Sequence, residues 1–257
     1  MAERGANPIV VLGFANASTL EVVAPDYPDT MFAIVDSVVD QPNVKSIVFS
    51  EHEGSFLVGM IAGLKSESGT VGFVGGMDVP LIRKFACGYA QGVMAANPDA
   101  TVISSMTGTT PTAWNDPVKG GELAKAQVSQ GADVIYAAAG GTGVGILQAA
   151  ADEGVFSIGV DSNQNFMHPG SVLTSMLKRV DNAVYEVFSE GLDGFEPGVT
   201  VLNLESEGVG YAVDEFNEEL ITDEITTAVE EAKAGIIAGD IEVHDYTSDD
   251  SCPALTF

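Results

Sequence analysis

Short apolar runs alternate along the chain with longer segments in which apolar residues recur at helical spacing. The runs predict buried strands, and the longer segments predict amphipathic helices packed beside them. Strands are expected at 8–14, 31–35, 44–49, 70–74, 101–106, 134–139, 155–160, 171–176 and 199–204, and helices at 16–23, 53–65, 80–97, 118–130, 144–153, 178–188 and 222–239. Residues 208–213 and 241–243 are further candidate strands, after which the tail is expected to fray. This alternation is typical of α/β proteins with parallel sheets.

The clearest unit runs from Ala132 to Gln164. An uncharged apolar strand is followed by the turn Gly140-Gly141-Thr142-Gly143, a helix with one apolar stripe, and a second apolar strand that ends at Asp161. Strand, glycine turn, helix and strand form a βαβ unit with a right-handed crossover. Because ligands bind outside the carboxyl ends of such strands, Gly140, Gly141 and Asp161 are expected to face one crevice.

Two further residues occupy comparable positions. Asp36 also ends an apolar strand, and Trp114, the only tryptophan, lies in a Thr- and Pro-rich loop that follows another. A carboxylate accepts paired hydrogen bonds from sugar hydroxyls or base N–H groups, and an aromatic ring stacks on a planar base. Each residue also has a structural interpretation, since an aspartate after a strand often caps a helix and a lone tryptophan often fills a core.

Charge narrows the choice of partner. The 257 residues carry 37 acidic and 10 basic side chains, a formal net charge of −27. Such a chain lacks the basic surface that nucleic acids or anionic lipids require. Acidic residues scattered over helices and loops indicate a solvated surface, and the scarcity of lysine favours a high-salt, halophilic habitat in which repulsion is screened. An acidic surface made for a basic partner has little local support.

The cysteines and the first residues of the chain show no disulfide, membrane-anchor or signal-peptide pattern. Cys87 lies in an apolar helical pattern and is interpreted as a small buried hydrophobe, while Cys252 lies in the tail, so no disulfide framework is expected. No apolar run is long enough for a transmembrane helix. The first residues, MAERGANP, lack the apolar region of a signal peptide.

The sequence matches nucleotide-binding, hydrolytic and metal-binding motifs poorly. The segment 141–145 resembles a dinucleotide fingerprint, but Ile146 occupies the position of its last glycine, and no Walker A motif is present. None of the three histidines (His52, His168 and His244) adjoins a nucleophile elbow. Residues 161–163 resemble only part of a calcium loop. We therefore expect no cofactor, no metal and no catalytic residue.

Five segments resemble the basic membrane protein (BMP) family, the PnrA-like substrate-binding lipoproteins of ABC transporters. In order, they are VGFVGGMD (71–78), QGADVI (130–135), AAGGTG (138–143), GVDS (159–162) and TSMLKRV (174–180). The resemblance extends from Ile9 to about Val213. It implies a type I periplasmic-binding-protein fold, with two Rossmann-like α/β lobes, three hinge strands and a ligand between the lobes. Characterised members of the family bind purine nucleosides.

The resemblance also implies site residues. Asp36 matches a ligand-contacting acid, and Trp114 stands where the family usually has a phenylalanine that stacks on the base. Gly141, Asp161 and Lys178 match the family's glycine, ribose-binding aspartate and lysine. The expected lobes are 1–70 with 173–196, and 71–172 with 197–257.

The sequence departs from the family pattern at its N-terminal end. Members of the family begin with a strand, a loop that supplies an acid, an amide and an aromatic, and a helix. These are expected to be missing here, together with the signal peptide and the lipobox cysteine. The deficit is at least one βαβ unit, roughly 30 residues or more. The first lobe is therefore expected to be incomplete, through a mis-set start or a truncated gene.

The sequence thus predicts an extracytoplasmic solute-binding protein of an ABC transporter, lipid-anchored in the full-length family. It is expected to act as a monomer, to capture a nucleoside-like ligand by hinge closure and to contact permease subunits. Two alternatives stay open at this point. A sensor domain of the same fold would be fused or docked to a partner. A nucleoside hydrolase would need an acidic metal cluster, and the chain has no D-x-D-x-x-x-D-D run.

Overall fold

The computed structural model describes all residues from Met1 to Phe257 and divides them into two compact units. The first unit comprises 1–50 and 179–208, and the second comprises 51–178 and 209–257. The chain therefore passes between the units three times, after Ser50, Lys178 and Gly208. Two α/β units built on mostly parallel sheets confirm the predicted fold class.

The first unit is built on a four-stranded parallel sheet in the order β1-β2-β3-β9. Its strands are β1 (Ile9–Leu12), β2 (Phe32–Val35), β3 (Val44–Phe49) and β9 (Gly198–Leu202), and its helices are α1 (Ala17–Val23) and α6 (Val180–Glu190). Strand β2 is buried along its whole length because it lies inside the sheet. Its Phe32 and Ile34 pack with Leu20 of α1 to form the core of this unit.

The second unit is built on a six-stranded sheet in the order β10-β8-β7-β6-β4-β5. Its strands are β4 (Thr70–Met77), β5 (Thr101–Gly108), β6 (Val134–Ala138), β7 (Phe156–Asp161), β8 (Val172–Lys178) and β10 (Val209–Tyr211), and its helices are α2 (Glu51–Lys65), α3 (Pro80–Ala96), α4 (Pro117–Val128), α5 (Gly143–Asp152) and α7 (Asp223–Ala238). Only β10 is antiparallel to its neighbour. The carboxyl ends of the five parallel strands therefore share one edge of the sheet.

Glycines let α2 and α3 pack backbone to backbone. A Cβ atom at Gly59 would overlap the carbonyl of Tyr89, and one at Gly92 would overlap the carbonyl of Phe56. The glycines of α2 pack on two different partners. Gly54 packs against the sheet, since it lies beside Met176 of β8 and Val209 of β10, whereas Gly59 and Gly63 face α3. None of the helices combines the length and apolar character needed to cross a bilayer.

The structure divides the chain at residues other than those expected. Helix α2 packs on α3 and thus belongs to the second unit, and β8 pairs with β7 in the second sheet. Strand β9, by contrast, pairs with β3 in the first sheet. The predicted lobe boundaries after residues 70 and 172 both lie within the second unit. Pairing between distant segments, which local pattern does not reveal, sets these boundaries.

The carboxyl-terminal segment corrects two expectations. Residues 241–243 form no strand, and the segment is tied to α3 rather than frayed. The backbone N–H of His244 donates to the side-chain oxygen of Gln91 at 2.8 Å, and the side-chain amide of Gln91 donates to the carbonyl of His244 at 3.0 Å. Cys252 is joined to Cys87 of α3 in a disulfide, with 5.7 Å between their Cα atoms. Cys87 is buried as predicted, but it is not a free thiol. The two cysteines are 165 residues apart in sequence, so spacing gave no indication of their pairing.

Candidate functional site

Four of the five predicted site residues lie at the carboxyl edge of the second sheet. Asp161 and Lys178 are the last residues of the neighbouring strands β7 and β8, and Asp161 is paired in register with Leu177. Gly141 lies in the turn after β6, and Trp114 ends a short 3-10 turn after β5. The parallel order of the strands thus places all four at one edge; the βαβ pattern indicated this position for Gly141 and Asp161, whereas Lys178 was expected to begin a helix.

Trp114 lies against the backbone of three glycines. A Cβ atom at Gly76 of β4 would overlap the indole ring, and one at Gly140 would lie 3.4 Å from its Cε3 atom. At Gly141, a Cβ atom would lie 3.1 Å from the carbonyl oxygen of Trp114. The indole is half-buried, whereas Gly140 and Gly141 are exposed. These glycines therefore form a close-fitting seat for the ring beside an accessible turn.

Thr142 ties the tryptophan loop to the glycine turn. Its buried hydroxyl donates to the carbonyl of Ala113 at 2.8 Å and accepts from the backbone N–H of Asp116 at 2.7 Å. Asp116 in turn caps α4 by accepting from the N–H of Lys119 at 3.0 Å. Because Ala113 and Asp116, on either side of Trp114 in the chain, are both hydrogen-bonded to Thr142, the loop that carries the indole is tied to the glycine turn. Thr142 lies within the GGTG turn, but nothing in the local sequence indicates that its hydroxyl bridges to the tryptophan loop.

Asp161 projects from a strained and well-supported turn. It is exposed and adopts a left-handed backbone conformation with φ of 66°. The side chain of Gln164 accepts from the N–H of Val160 at 2.9 Å, and the N–H of Gln164 donates to the hydroxyl of Ser175 at 2.9 Å. Burial raises the pKa of Tyr136 well above its usual value, and the negative charge of Asp161 adds to that effect.

Lys178 is buried, and its partner is Glu51, which is not among the five predicted site residues. Its Nζ lies 3.0 Å from Oε1 of Glu51, the first residue of α2, and 5.8 Å from the centre of the Phe85 ring. Burial alone would raise the pKa of Glu51, but the charges of Lys178 and Lys84 outweigh it and hold that pKa below its ordinary value. Glu51 is therefore a carboxylate, and Lys178 belongs to a buried ion pair.

Asp36, the fifth predicted residue, lies in the first unit. It follows β2, is half-buried, and donates its backbone N–H to the carbonyl of Ile47 at 2.9 Å. Like Asp161 it has a left-handed backbone, with φ of 71°. Its contribution to the same site stays a prediction. No group of three or more His, Cys, Asp or Glu side chains is arranged to hold a metal ion.

Comparison with known proteins agrees with this architecture. The chain is 36% identical over 253 residues to the CD4+ T-cell-stimulating antigen of Listeria monocytogenes, an alignment covering 90% of this chain and 68% of that protein. It is 32% identical over 262 residues to the ABC transporter nucleoside-binding protein BmpA of Lactococcus lactis, covering 94% of this chain and 72% of that protein.

A solved structure is similar over nearly the whole chain. The crystal structure of an ABC transporter solute-binding protein from Aeropyrum pernix superposes with a TM-score of 0.86 at 29% identity, covering 97% of this chain and 80% of that one. The sequence profile of the Bmp family, described as ABC transporter substrate-binding protein PnrA-like, matches residues 1–246. The chain therefore belongs to the PnrA-like family of ABC transporter substrate-binding proteins, as its motifs indicated.

Proposed function

We propose that this chain captures a purine nucleoside, or a closely related ligand, at the carboxyl edge of the second sheet. The observation that carries the proposal is the seating of the only tryptophan, Trp114, over Gly76 and Gly140 at that edge, where Asp161 is also exposed. A planar base would stack on the indole. The relative from Lactococcus lactis, whose name states that it binds nucleosides, supports the same ligand class.

The other residues would hold the sugar. Asp161 presents a carboxylate that can accept two hydrogen bonds from neighbouring ribose hydroxyls, and its supported turn fixes the direction of those bonds. Lys178, one strand away, is proposed to donate to a ribose oxygen. Gly141 would let the ligand approach the backbone, since any side chain there would project from an exposed turn. Asp36 is proposed as a further polar anchor.

The proposed partners are the permease subunits of an ABC transporter, reached outside the cytoplasm by a monomeric binding protein. The Cys87–Cys252 disulfide supports this placement, since disulfides persist in oxidising compartments. We propose that the ligand is bound and released without chemical change. Intact nucleoside recovered by chromatography after prolonged incubation with the protein would support this, and release of free base would contradict it.

Fluorescence of Trp114 tests the proposed site directly. The chain has one tryptophan, so any change in indole emission reports on this position alone. Purine nucleosides are expected to quench it saturably, whereas ribose and amino acids are expected to leave it unchanged. The matched variant is Asp161→Asn. Asparagine has nearly the same size as aspartate and also tolerates a left-handed backbone conformation, but it carries no charge. Quenching in this variant should require at least tenfold more nucleoside; equal titration curves would contradict the assigned sugar contact.

A further inference from the structure

A buried cluster of charged residues lies behind Lys178. Glu51 is placed between two lysines: its Oε1 is 3.0 Å from Nζ of Lys178, and its Oε2 is 3.1 Å from Nζ of Lys84. The side chains of Glu51 and Lys178 are 1% and 4% exposed, and that of Lys84 is 10% exposed. Charges so far from water need complementary partners, because a buried charge left alone is strongly destabilising.

The carboxyl-terminal segment supplies the second acid. Asp245 lies 3.2 Å from Nζ of Lys84 and 3.8 Å from Nδ1 of His52. Burial and the positive charge of Lys84 lower the pKa of His52 to about 4, so this histidine is neutral at pH 7. Two carboxylates therefore balance two ammonium groups, and the cluster carries no net charge.

We propose that Glu51 is a positioning residue that fixes the Lys178 ammonium at the binding edge and neutralises it, so that the edge selects an uncharged ligand. The inference rests on the proposed function and adds a determinant of specificity to it. A lysine has a long flexible stem, and a buried carboxylate restricts where its ammonium can lie. Because Glu51 already compensates Lys178, a phosphate group would bring excess negative charge into a buried, balanced cluster.

Calorimetric titration with inosine and inosine 5′-monophosphate tests this in Glu51→Gln and Glu51→Asp. The glutamine variant leaves one uncompensated positive charge, so inosine should bind at least tenfold more weakly, and the preference for inosine over the monophosphate should fall at least tenfold. The aspartate variant keeps the charge but shortens its reach. It should weaken inosine binding while the preference stays within threefold of wild type.

Two further variants separate charge from folding. Glu51→Gln combined with Lys84→Met removes one charge of each sign, and should restore the wild-type preference for inosine while affinity stays low. Glu190→Gln removes the carboxylate of another lysine pair, Lys45–Glu190 at 2.7 Å in the first unit, and should change both affinities less than twofold. An unchanged preference in Glu51→Gln would overturn the proposal. If Glu51→Gln does not fold, the double variant Glu51→Gln/Lys84→Met replaces it, and wild-type affinity of that variant for inosine would also overturn the proposal.

Failure of the proposed nucleoside binding can be distinguished from failure of the inference about Glu51. If the wild-type protein binds neither inosine nor its monophosphate, the nucleoside proposal fails, and the ion pair is then tested without ligand. Urea unfolding of Glu51→Gln, Lys178→Met and the variant that combines these two changes forms a mutant cycle. Removing both partners should destabilise the protein less than the two single changes together. Additive effects would show that Glu51 does not hold Lys178, and would overturn the inference.

Discussion

Two aspartates, Asp36 and Asp161, end strands in a left-handed backbone conformation, with φ of 71° and 66°. Left-handed backbone is uncommon for residues other than glycine, although aspartate tolerates it better than most. Such positions cluster at ligand-binding sites, where the surrounding structure fixes them. The same rare feature at the same kind of position, one in each unit, supports the prediction that both side chains are set for binding.

The identity of the ring at position 114 should control affinity. Trp114→Ala removes a stacking surface worth about 1–3 kcal/mol, so a purine nucleoside should bind roughly 5- to 150-fold more weakly. Trp114→Phe keeps an aromatic face and should stay within about threefold of wild type. Calorimetry measures both, since neither variant retains a tryptophan. Wild-type affinity in Trp114→Ala would show that the indole does not contact the ligand.

His52 should make stability sensitive to mild acid. Its pKa is lowered to about 4 in the folded protein by burial and by Lys84, against an attraction from Asp245. Between about pH 6.5 and 4 the unfolded chain therefore binds a proton that the folded protein does not, and the free energy of unfolding falls as pH falls.

The matched variant for this histidine is His52→Gln, which cannot take up that proton. Urea unfolding at pH 7, 6 and 5 should show a smaller loss of stability in His52→Gln than in wild type. Carboxylate protonation affects both proteins in the same way, so the difference between them isolates the histidine. Parallel curves for the two proteins would be inconsistent with a histidine held neutral by burial.

At the scale of elements, the close contact between α2 and α3 depends on glycines, which have no side chain. Replacing an exposed helical glycine by alanine gains up to about 1 kcal/mol. Gly59→Ala and Gly92→Ala should instead lose roughly 1–3 kcal/mol, because their Cβ atoms would overlap carbonyl groups of the facing helix.

Gly143→Ala is the control for these glycines, since the nearest atom to its Cβ would be 3.7 Å away. This variant should be as stable as wild type or slightly more so. Thermal unfolding followed by circular dichroism ranks the three variants. A rise in melting temperature for Gly92→Ala would contradict the close helix contact.

The elements also show what local sequence could predict. Strand and helix positions followed from apolar period, and the carboxyl-edge positions of Gly141 and Asp161 followed from the βαβ unit. Glu51 was missed because a charged residue at a helix start is interpreted as solvated, and only its partners Lys84 and Lys178, distant in sequence, explain its burial. Assignment of β8 and β9 to separate sheets likewise depends on long-range pairing.

At the scale of the whole molecule, the disulfide should contribute strongly to stability. The bond between Cys87 and Cys252 closes a loop of 165 residues, and removing a disulfide typically costs about 2–5 kcal/mol. Reduction, or the change Cys252→Ser, should lower the free energy of unfolding by an amount in this range.

Urea unfolding with and without reductant measures the effect, and Cys252→Ser itself should not respond to reductant. Two titratable thiols in the unreduced, denatured protein would show that the bond is absent. The formal net charge of −27 and the scarcity of lysine are the basis for the predicted adaptation to high salt, which stays a prediction.

Calorimetric titration of the wild-type protein with nucleosides, free sugars and amino acids tests the central claim most directly. The predicted result is saturable one-site binding of at least one purine nucleoside, with no heat from ribose or from amino acids. Silence with every nucleoside, or tighter binding of a sugar or an amino acid, would contradict the assignment of the second sheet's carboxyl edge as a nucleoside site.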